Sequence, residues 1–460
     1  MSLFLREDFD DTIVALATPP GIGALGIVRL SGKEALNIAN AVFHGKDLRQ
    51  QASHTLHFGT IRDGETIIDE VLASVFIAPR SFTKENMVEF SCHGSPFILQ
   101  QVVKLLMRRG ARLARPGEFT KRAFLHGKFD LAQAEAVADL IHADSEAAHF
   151  AAINQMRGGF SNKIKALREE LIHFASMIEL ELDFGEEDVE FADRQQLKTL
   201  VLKIYKAVEE LILSFDLGNV IKNGVPAVIA GKPNAGKSTL LNALLNEEKS
   251  IVSDIPGTTR DVIEDEIHIE GVLFRFIDTA GLRESTDHIE KIGIKRTREK
   301  MKQASLIIYM FDLQQESLED IQQQSEMLDL LAIPYLKVGN KMDLAPAGLA
   351  DTLQTAHDMV LISASQRENL DQLKARIIEV SNLKQFKTGD TMVTNLRHFE
   401  SLKNTRASLE DVLKGLDSQV TNDFLALDLR QSLHHLGEIT GEITTDDLLA
   451  NIFSKFCIGK

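Results

Sequence analysis

A glycine-rich loop at positions 231–238 constrains the fold of this 460-residue chain more than any other feature of its sequence. The octapeptide matches the pattern G-x-x-x-x-G-K-[ST] and ends in Lys237 and Ser238. A strand-like run at 225–230 precedes the loop, and a helix-forming run at 239–244 follows it. Glycines let backbone N–H groups surround a phosphate, and the helix N-terminus adds a positive dipole end. The sequence therefore predicts a phosphate-binding loop between a strand and a helix.

Strand-like and helix-like runs alternate around this loop. The candidate strands are 225–230, 273–277, 306–311, 335–338 and 360–362. Strands separated by helices are typical of a parallel sheet covered on both faces. We therefore expect an α/β domain from about residue 225 to 380.

Helical patterns flank this segment on both sides. Apolar residues spaced three and four apart form stripes over 164–178 and 197–211, and again over 399–412 and 425–436. An acidic break at 181–190 separates the first two stripes and is interpreted as a loop. Because insertion into an exposed helix–helix connection is tolerated, the pattern predicts a helical domain divided by an inserted α/β domain.

The first 120 or so residues have a mixed α/β pattern. Candidate strands lie at 13–17, 25–30, 71–77 and 87–91, with turn signals such as Asp63-Gly64 between them. The basic segment 104–122 contains seven lysines and arginines against one acid, Glu118. It is a candidate for phosphate contact, and a solvated helix face is the alternative.

Composition excludes several classes of protein. The net charge of −16 argues against coating of nucleic acid or anionic membrane over the whole surface. Two cysteines, Cys92 and Cys457, are too few for a disulfide framework or a Cys-built zinc site, and fit a reducing compartment. The start is unlike a signal peptide, and no stretch of 18 apolar residues occurs. We expect a cytoplasmic protein with no membrane span.

A second motif predicts the nucleotide base. Asn340, Lys341 and Asp343 follow the candidate strand 335–338. A carboxylate at Asp343 can accept hydrogen bonds from guanine N1 and N2, which adenine cannot supply, so the motif favours GTP over ATP. The next strand is followed by Ser363-Ala364-Ser365, which is placed to support the base.

Two further loops are candidates for contact with the γ-phosphate and Mg²⁺. Asp278-Thr279-Ala280-Gly281 ends the strand 273–277, and a threonine at 258–259 lies between it and the phosphate-binding loop. Asp278 can hold Mg²⁺ through water, Gly281 can sense the γ-phosphate, and Thr259 is the chosen Mg²⁺ ligand. Leu282 stands where many GTPases carry a water-orienting glutamine.

The missing glutamine calls for another group to assist hydrolysis. The amide oxygen of Asn234, in the middle of the phosphate-binding loop, can bind a monovalent cation in place of an arginine finger. Glu290, nine residues beyond Gly281, is a candidate for orienting the attacking water, with a surface glutamate as the alternative.

These motifs together resemble the tRNA-modification GTPase family MnmE, also called TrmE. The resemblance extends from about residue 11 to 460 and includes the segments 17–21, 27–32, 115–124, 130–136 and the terminal Phe-Cys-Ile-Gly-Lys at 456–460. It implies a dimerising, folate-binding α/β domain at 1–125, a helical domain at 126–220 and 385–460, and an inserted Ras-like P-loop G domain at 221–384.

The resemblance also implies an activity. A homodimer would hydrolyse GTP in a K⁺-stimulated reaction and, in a heterotetramer with the flavoprotein MnmG, would modify C5 of the wobble uridine of tRNA. The product would carry an aminomethyl or carboxymethylaminomethyl group. The carbon would come from 5,10-methylene- or 5-formyl-tetrahydrofolate, and the partner would carry FAD and NADH.

Site residues follow from the resemblance position by position. Mg²⁺ would be held by Ser238 and Thr259, and K⁺ by Asn234, Ser253, Ile255 and Thr258. Catalysis would involve Glu290 and Lys237, and folate would contact Arg29, Glu89, Lys128 and Lys460. The GTP-binding set is Asn234, Ala235, Gly236, Lys237, Ser238, Thr239, Ser253, Asp254, Ile255, Pro256, Gly257, Thr258, Thr259, Asp278, Thr279, Ala280, Gly281, Asn340, Lys341, Asp343, Ser363, Ala364 and Ser365.

Four positions leave alternatives open. Ser253, His126 and Ser365 depart from the residues common in the family. Cys457 is interpreted either as a buried structural thiol or as a nucleophile that adds to uridine C6. For the whole chain, the alternative function is a regulatory GTPase switch in ribosome assembly or stress response, for which the first domain and the terminal pentapeptide are not needed.

Overall fold

The computed structural model describes residues 11–183, 194–249, 265–277, 301–345, 359–381 and 391–460. The chain forms two compact units: 1–138, 156–197 and 414–460 make up the first, and 139–155 and 198–413 the second. Described strands are β1 (Ile13–Leu16), β2 (Leu25–Ser31), β3 (Phe43–His44), β4 (Thr55–Asp63), β5 (Thr66–Phe76), β6 (Met87–His93), β7 (Arg112–Leu113), β8 (Val225–Ala230), β9 (Asp265–Ile269), β10 (Val272–Phe276), β11 (Leu306–Asp312), β12 (Tyr335–Asn340) and β13 (Met359–Leu361). Described helices are α1 (Ala35–Asn40), α2 (Pro96–Arg108), α3 (Glu118–Leu125), α4 (Leu131–His142), α5 (Glu146–Met156), α6 (Gly159–Asp183), α7 (Arg194–Asn223), α8 (Lys237–Lys249), α9 (Leu318–Asp329), α10 (Leu370–Val380), α11 (Leu396–Asp417), α12 (Asn422–Thr440) and α13 (Asp446–Ser454).

The first unit begins with a seven-stranded sheet in the order β3-β4-β5-β6-β2-β1-β7. Its pairs are antiparallel except β1 with β7. Val71, Ala73 and Val75 alternate along β5 and are buried in a core that includes residues of α1 and α2. All four predicted strands are confirmed, whereas β3, β4 and β7 were not predicted. The predicted turn at Asp63-Gly64 joins β4 to β5.

Helices complete the first unit. The stripe over 164–178 lies on α6, where Ile164, Leu171 and Ile178 are buried, and α12 packs along this helix. The segment 130–136 fastens the start of α4 to α6. Asp130 accepts hydrogen bonds from Gln133 N, Ser161 Oγ and Lys165 Nζ. The segment 130–136, which is part of the family resemblance, therefore has a structural role.

The second unit contains a six-stranded sheet in the order β13-β12-β11-β8-β10-β9. The five strands from β13 to β10 are parallel, as predicted. Strand β9, which was not among the predicted strands, pairs antiparallel with β10 at the edge of the sheet. Two apolar clusters lie against the sheet, one around Phe274 and Met310 and the other around Phe311 and Tyr309.

The fold-class prediction is confirmed. An N-terminal α/β domain built on a sheet comes first along the chain. Helices then precede and follow the phosphate-loop α/β domain in the sequence. The apolar stripe over 197–211 lies on α7, with Leu197, Val201, Ile204, Val208 and Leu211 buried. Among the described residues, no helix is both long and apolar enough to cross a membrane.

Candidate functional site

The phosphate-binding loop lies between β8 and α8, as its sequence predicts. Gly231 and Gly236 have φ of +148° and +96°, a region that favours glycine. A Cβ at Gly231 would come within 2.0 Å of the Met310 carbonyl oxygen, and one at Gly236 within 2.1 Å of Asn340 Nδ2. The intervening Asn234 is also left-handed, with φ of +63°. Both glycines are therefore required by neighbouring atoms as well as by backbone conformation.

Lys237 points back across this loop. Its Nζ donates to the carbonyl oxygens of Gly231 at 2.9 Å and Lys232 at 2.8 Å. Burial lowers the pKa of the ammonium group, and the charge of Glu316 acts in the opposite direction. The loop therefore holds a preformed cation where the sequence predicts contact with the phosphates. Lys237 is the first residue of α8, and Ser238 and Thr239 follow it in the helix.

Asn340 ties the phosphate-binding loop to the predicted base-binding segments. Its side chain is buried, and Nδ2 donates to the Ala235 carbonyl oxygen at 2.8 Å. Its Oδ1 accepts a hydrogen bond from Ala364 N at 3.0 Å. The Asn340 side chain thus joins the end of β12 to the phosphate-binding loop and to the turn after β13. The base motif alone did not predict this supporting role.

Asp343 lies where a base can reach it. It is exposed within the 3₁₀ turn Met342–Leu344, directly after β12. Lys341 has a left-handed φ of +64°, and its Nζ donates to Asp312 Oδ2 at 2.6 Å. Ser363 and Ser365 are joined by their hydroxyl groups at 3.2 Å, in the turn that follows β13. The structure therefore brings the described parts of the predicted nucleotide site to one end of the sheet.

The remaining predicted residues of this site lie outside the described residues. They are Ser253, Asp254, Ile255, Pro256, Gly257, Thr258, Thr259, Asp278, Thr279, Ala280, Gly281 and Glu290. Their roles stay predictions.

The first unit gathers part of the predicted folate site. Arg29 on β2 and Glu89 on β6 are register partners, and Arg29 Nε donates to Glu89 Oε1 at 2.7 Å. Arg29 Nη1 also donates to the Gly459 carbonyl oxygen at 3.2 Å, so the C-terminal residues lie against this pair. Lys460 follows, half-buried. Three of the four predicted contacts are thus brought into one neighbourhood.

Aromatic rings add to this neighbourhood. The Arg29 guanidinium carbon lies 5.6 Å from the ring centroids of both Phe82 and Phe119. Sequence reasoning did not select either ring, although Phe119 belongs to the family-like segment 115–124. A guanidinium group close to two rings is held by cation–π attraction as well as by its ion pair.

Lys128, the fourth predicted contact, lies exposed in the loop after α3. This loop is fastened to residues 83–84: Lys84 Nζ donates to the Gly127 carbonyl oxygen at 2.8 Å, and His126 Nδ1 lies 2.7 Å from the Thr83 carbonyl oxygen. The departure at His126 therefore leaves the loop anchored.

The basic segment 104–122 is not a single surface. Arg122 is fully buried and contacts Asp11 Oδ1 at 2.6 Å, Glu118 Oε1 at 3.0 Å and Glu85 Oε1 at 3.2 Å. Burial alone would raise the pKa of Glu118, but hydrogen bonds from Arg112, Arg115 N and Arg122 lower it. Arg122 therefore has a structural role. It is neither a phosphate contact nor part of a solvated helix face.

The two cysteines differ in environment. Cys92 is buried in the sheet core, and burial, aided by the charge of Asp69, raises its pKa to about 12, so it remains a thiol at neutral pH. The prediction of burial for Cys457 was wrong: the residue is exposed, while its carbonyl oxygen accepts a hydrogen bond from Gly117 N at 3.3 Å.

Comparisons with known proteins agree with this architecture. Two family models match the chain: "GTP-binding protein TrmE N-terminus" over residues 12–128 and "MnmE helical domain" over residues 131–457. A protein of Cytophaga hutchinsonii named tRNA modification GTPase MnmE is 61% identical over 460 residues, covering 100% of both chains. Proteins of the same name from Christiangramia forsetii and Bacteroides fragilis are 52% and 49% identical, covering 98% of this chain and 99% of their own.

Proposed function

This chain belongs to the MnmE family of tRNA modification GTPases, and we propose that it hydrolyses GTP in the course of modifying tRNA. The observation that carries the proposal is the 61% identity, over all 460 residues, to a relative named for that activity. The preformed phosphate loop and the buried Asn340 support the nucleotide half. The finer assignment is a homodimer that acts with MnmG on C5 of the wobble uridine in the cytoplasm.

The described part of the loop fits the groups that GTP hydrolysis needs. Lys237 would contact the β- and γ-phosphates, and Asp343 would accept hydrogen bonds from guanine. Ser238 and Thr259 would hold Mg²⁺, which offsets charge on the phosphates when bound. Glu290 would orient the attacking water, in the role that glutamine has in many GTPases.

We propose that K⁺ supplies the positive charge that an arginine finger supplies in other GTPases. Asn234 is exposed at the centre of the loop, and its left-handed backbone supports a role for this residue other than loop packing. With Ser253, Ile255 and Thr258 it would bind the cation, which would offset charge developing at the phosphates.

We expect GTP hydrolysis to be at least about tenfold faster in K⁺ than in Na⁺ at equal ionic strength, because Na⁺ is too small for such a ligand set. The measurement is phosphate release under multiple-turnover conditions, with Asn234→Ala as the variant that loses the difference. Equal rates in the two salts would remove K⁺ from the proposal.

Folate is proposed to bind beside Arg29, Glu89 and the C-terminal residues. The Arg29 and Glu89 side chains each remain 19% exposed, so the pair is reachable, and Arg29 is fixed by Gly459 and two aromatic rings. A guanidinium group suits the carboxylates of a tetrahydrofolate, and the partly exposed Phe82 ring suits the planar pyrimidine ring of its pterin, whereas Phe119 is fully buried behind Arg29. Lys128 and Lys460 would add positive charge, and the one-carbon group would serve as carbon donor.

A homodimer is supported by the open face of the first sheet. Leu25, Leu56, Phe58 and Leu72 are 67%, 58%, 68% and 39% exposed. Phe58 and Leu72 are register partners on adjacent strands, and Leu56 lies two residues from Phe58 on the same face. An exposed apolar patch of this kind marks an interaction surface, and we propose a second copy of the chain as its occupant.

The exposed thiol of Cys457 keeps open its proposed role as a nucleophile toward uridine C6. Its neighbours fix the backbone on both sides, since Gly117 N and Lys460 N both donate to the Cys457 carbonyl oxygen at 3.3 Å.

Wobble-uridine mass spectrometry tests the function. A strain that lacks this protein is expected to lose the C5 modification, and a plasmid copy is expected to restore it. The alternative function, a regulatory switch in ribosome assembly or stress response, predicts altered ribosome profiles with unchanged wobble uridines. Unchanged C5 modification in the deletion strain would therefore favour the switch.

A further inference from the structure

A carboxylate is buried beside the phosphate-binding loop without a role in the proposed mechanism. Glu316 lies in the turn between β11 and α9, and its side chain is only 2% exposed. Its Oε2 makes no hydrogen bond within the described part of the chain. Lys232 Nζ lies 3.4 Å from that oxygen, which is ion-pair contact. Because carboxylates are seldom buried unless paired, Lys232 is the cation that partners Glu316.

Lys232 is itself part of the phosphate-binding loop. Its carbonyl oxygen accepts a hydrogen bond from Lys237 Nζ at 2.8 Å. The side chain of Lys232 thus faces Glu316, while its backbone supports the lysine that meets the phosphates. Burial raises the pKa of Glu316, and Lys232 opposes that rise, while the charge of Glu316 favours the ammonium form of Lys237. The two lysines and this carboxylate are therefore electrostatically coupled.

A second carboxylate near Lys232 makes a natural comparison. Asp320 Oδ1 lies 3.8 Å from Lys232 Nζ, but the Asp320 side chain is 45% exposed. Asp320 is also engaged in the capping box of α9, where its Oδ2 accepts hydrogen bonds from Ser317 N and Oγ. The Lys232 side chain is 48% exposed in both pairs, so water screens its pair with Asp320 more than its pair with Glu316, of which only the carboxylate is buried.

We propose that Glu316 is a positioning residue that sets nucleotide affinity through its ion pair with Lys232. The two charges of the pair offset each other beside the site where an anionic nucleotide binds. Loss of Lys232 alone leaves a buried, uncompensated carboxylate that repels the phosphates. Loss of the Glu316 charge alone leaves an extra cation that attracts them.

Four variants test this electrostatic balance: Lys232→Met, Glu316→Gln, the double variant, and Asp320→Asn as matched control. The readout is the Kd of a fluorescent GDP analogue, at fixed ionic strength and with thermal melting recorded for each protein. Lys232→Met is expected to weaken binding at least about tenfold, and Glu316→Gln to tighten it about twofold to threefold. The double variant is expected to return to within about threefold of the parent, and Asp320→Asn to stay within twofold.

The direction in which each variant changes GDP affinity distinguishes this electrostatic role from a purely structural one. A purely structural pair would weaken binding in both single variants, and the double variant would bind no better than Lys232→Met. Either result would overturn the proposal. If Lys232→Met does not fold, Glu316→Gln alone still tests the proposal. Weaker GDP binding by that variant would contradict the expected tightening.

Discussion

Replacing Asp343 by asparagine is expected to abolish most of the affinity for GTP and to create affinity for xanthosine triphosphate. The carboxylate would accept hydrogen bonds from guanine N1 and N2, whereas an asparagine amide would place a donor against one of those N–H groups. Sites that leave buried polar groups unpaired reject a ligand by about 10⁴-fold, so a loss of about 10³-fold or more is expected for this exposed position. Xanthine carries an oxygen at C2 and can accept from that amide.

The measurement is a titration of the variant with GTP and with xanthosine triphosphate. Asp371→Asn is the matched control, since Asp371 is fully exposed and lies on α10, outside the base motif in sequence. The control is expected to bind GTP like the parent. GTP affinity within tenfold of the parent in Asp343→Asn would show that another group recognises guanine.

Replacing Gly459 by alanine is expected to prevent the C-terminal residues from docking. Gly459 has φ of +96°, and a Cβ there would lie 2.2 Å from the Leu16 carbonyl oxygen. Because that atom is backbone at the end of β1, it cannot move aside cheaply. Undocking would remove the Gly459 carbonyl oxygen from Arg29 and displace Lys460 and Cys457. Tetrahydrofolate affinity and tRNA modification should each fall at least about tenfold, with GTP hydrolysis unchanged.

Calorimetry with 5-formyl-tetrahydrofolate measures the first effect, and wobble-uridine mass spectrometry the second. Ile458→Ala is the matched control, because the Ile458 side chain is 54% exposed and its loss leaves the Gly459 contact intact. Folate binding by Gly459→Ala that equals the control would separate the C-terminal residues from the folate site.

The parts of the fold that were predicted from sequence depend on local pattern. The phosphate-binding loop, the five parallel strands and the stripes on α6 and α7 each follow from spacing within one segment. Strand β9 was missed because it is a short edge strand in which buried and more exposed residues alternate, and such runs carry little apolar signal.

The missed parts of the sites depend on contacts between segments distant in sequence. Arg122 is buried because Asp11, 111 residues earlier, and Glu85 supply its counter-charges. Asn340 reaches Ala235 across 105 residues, and Glu316 meets Lys232 from a different loop. Cys457 is exposed because Gly459 docks against Leu16 and fixes the chain on the far side of the thiol. Such contacts leave no periodic pattern of apolar residues in the sequence.

The central claim is that GTP hydrolysis by this chain serves a folate-dependent change to the wobble uridine. It is tested most directly by incubating the purified protein and MnmG, its proposed partner, with tRNA from the deletion strain and analysing the uridines by mass spectrometry. With GTP, K⁺, methylene-tetrahydrofolate, FAD, NADH and a nitrogen donor, either glycine or ammonium, the C5-modified nucleoside is expected, and omission of either GTP or the folate should abolish it. Equal yield without GTP, or no product in the complete mixture, would contradict the account.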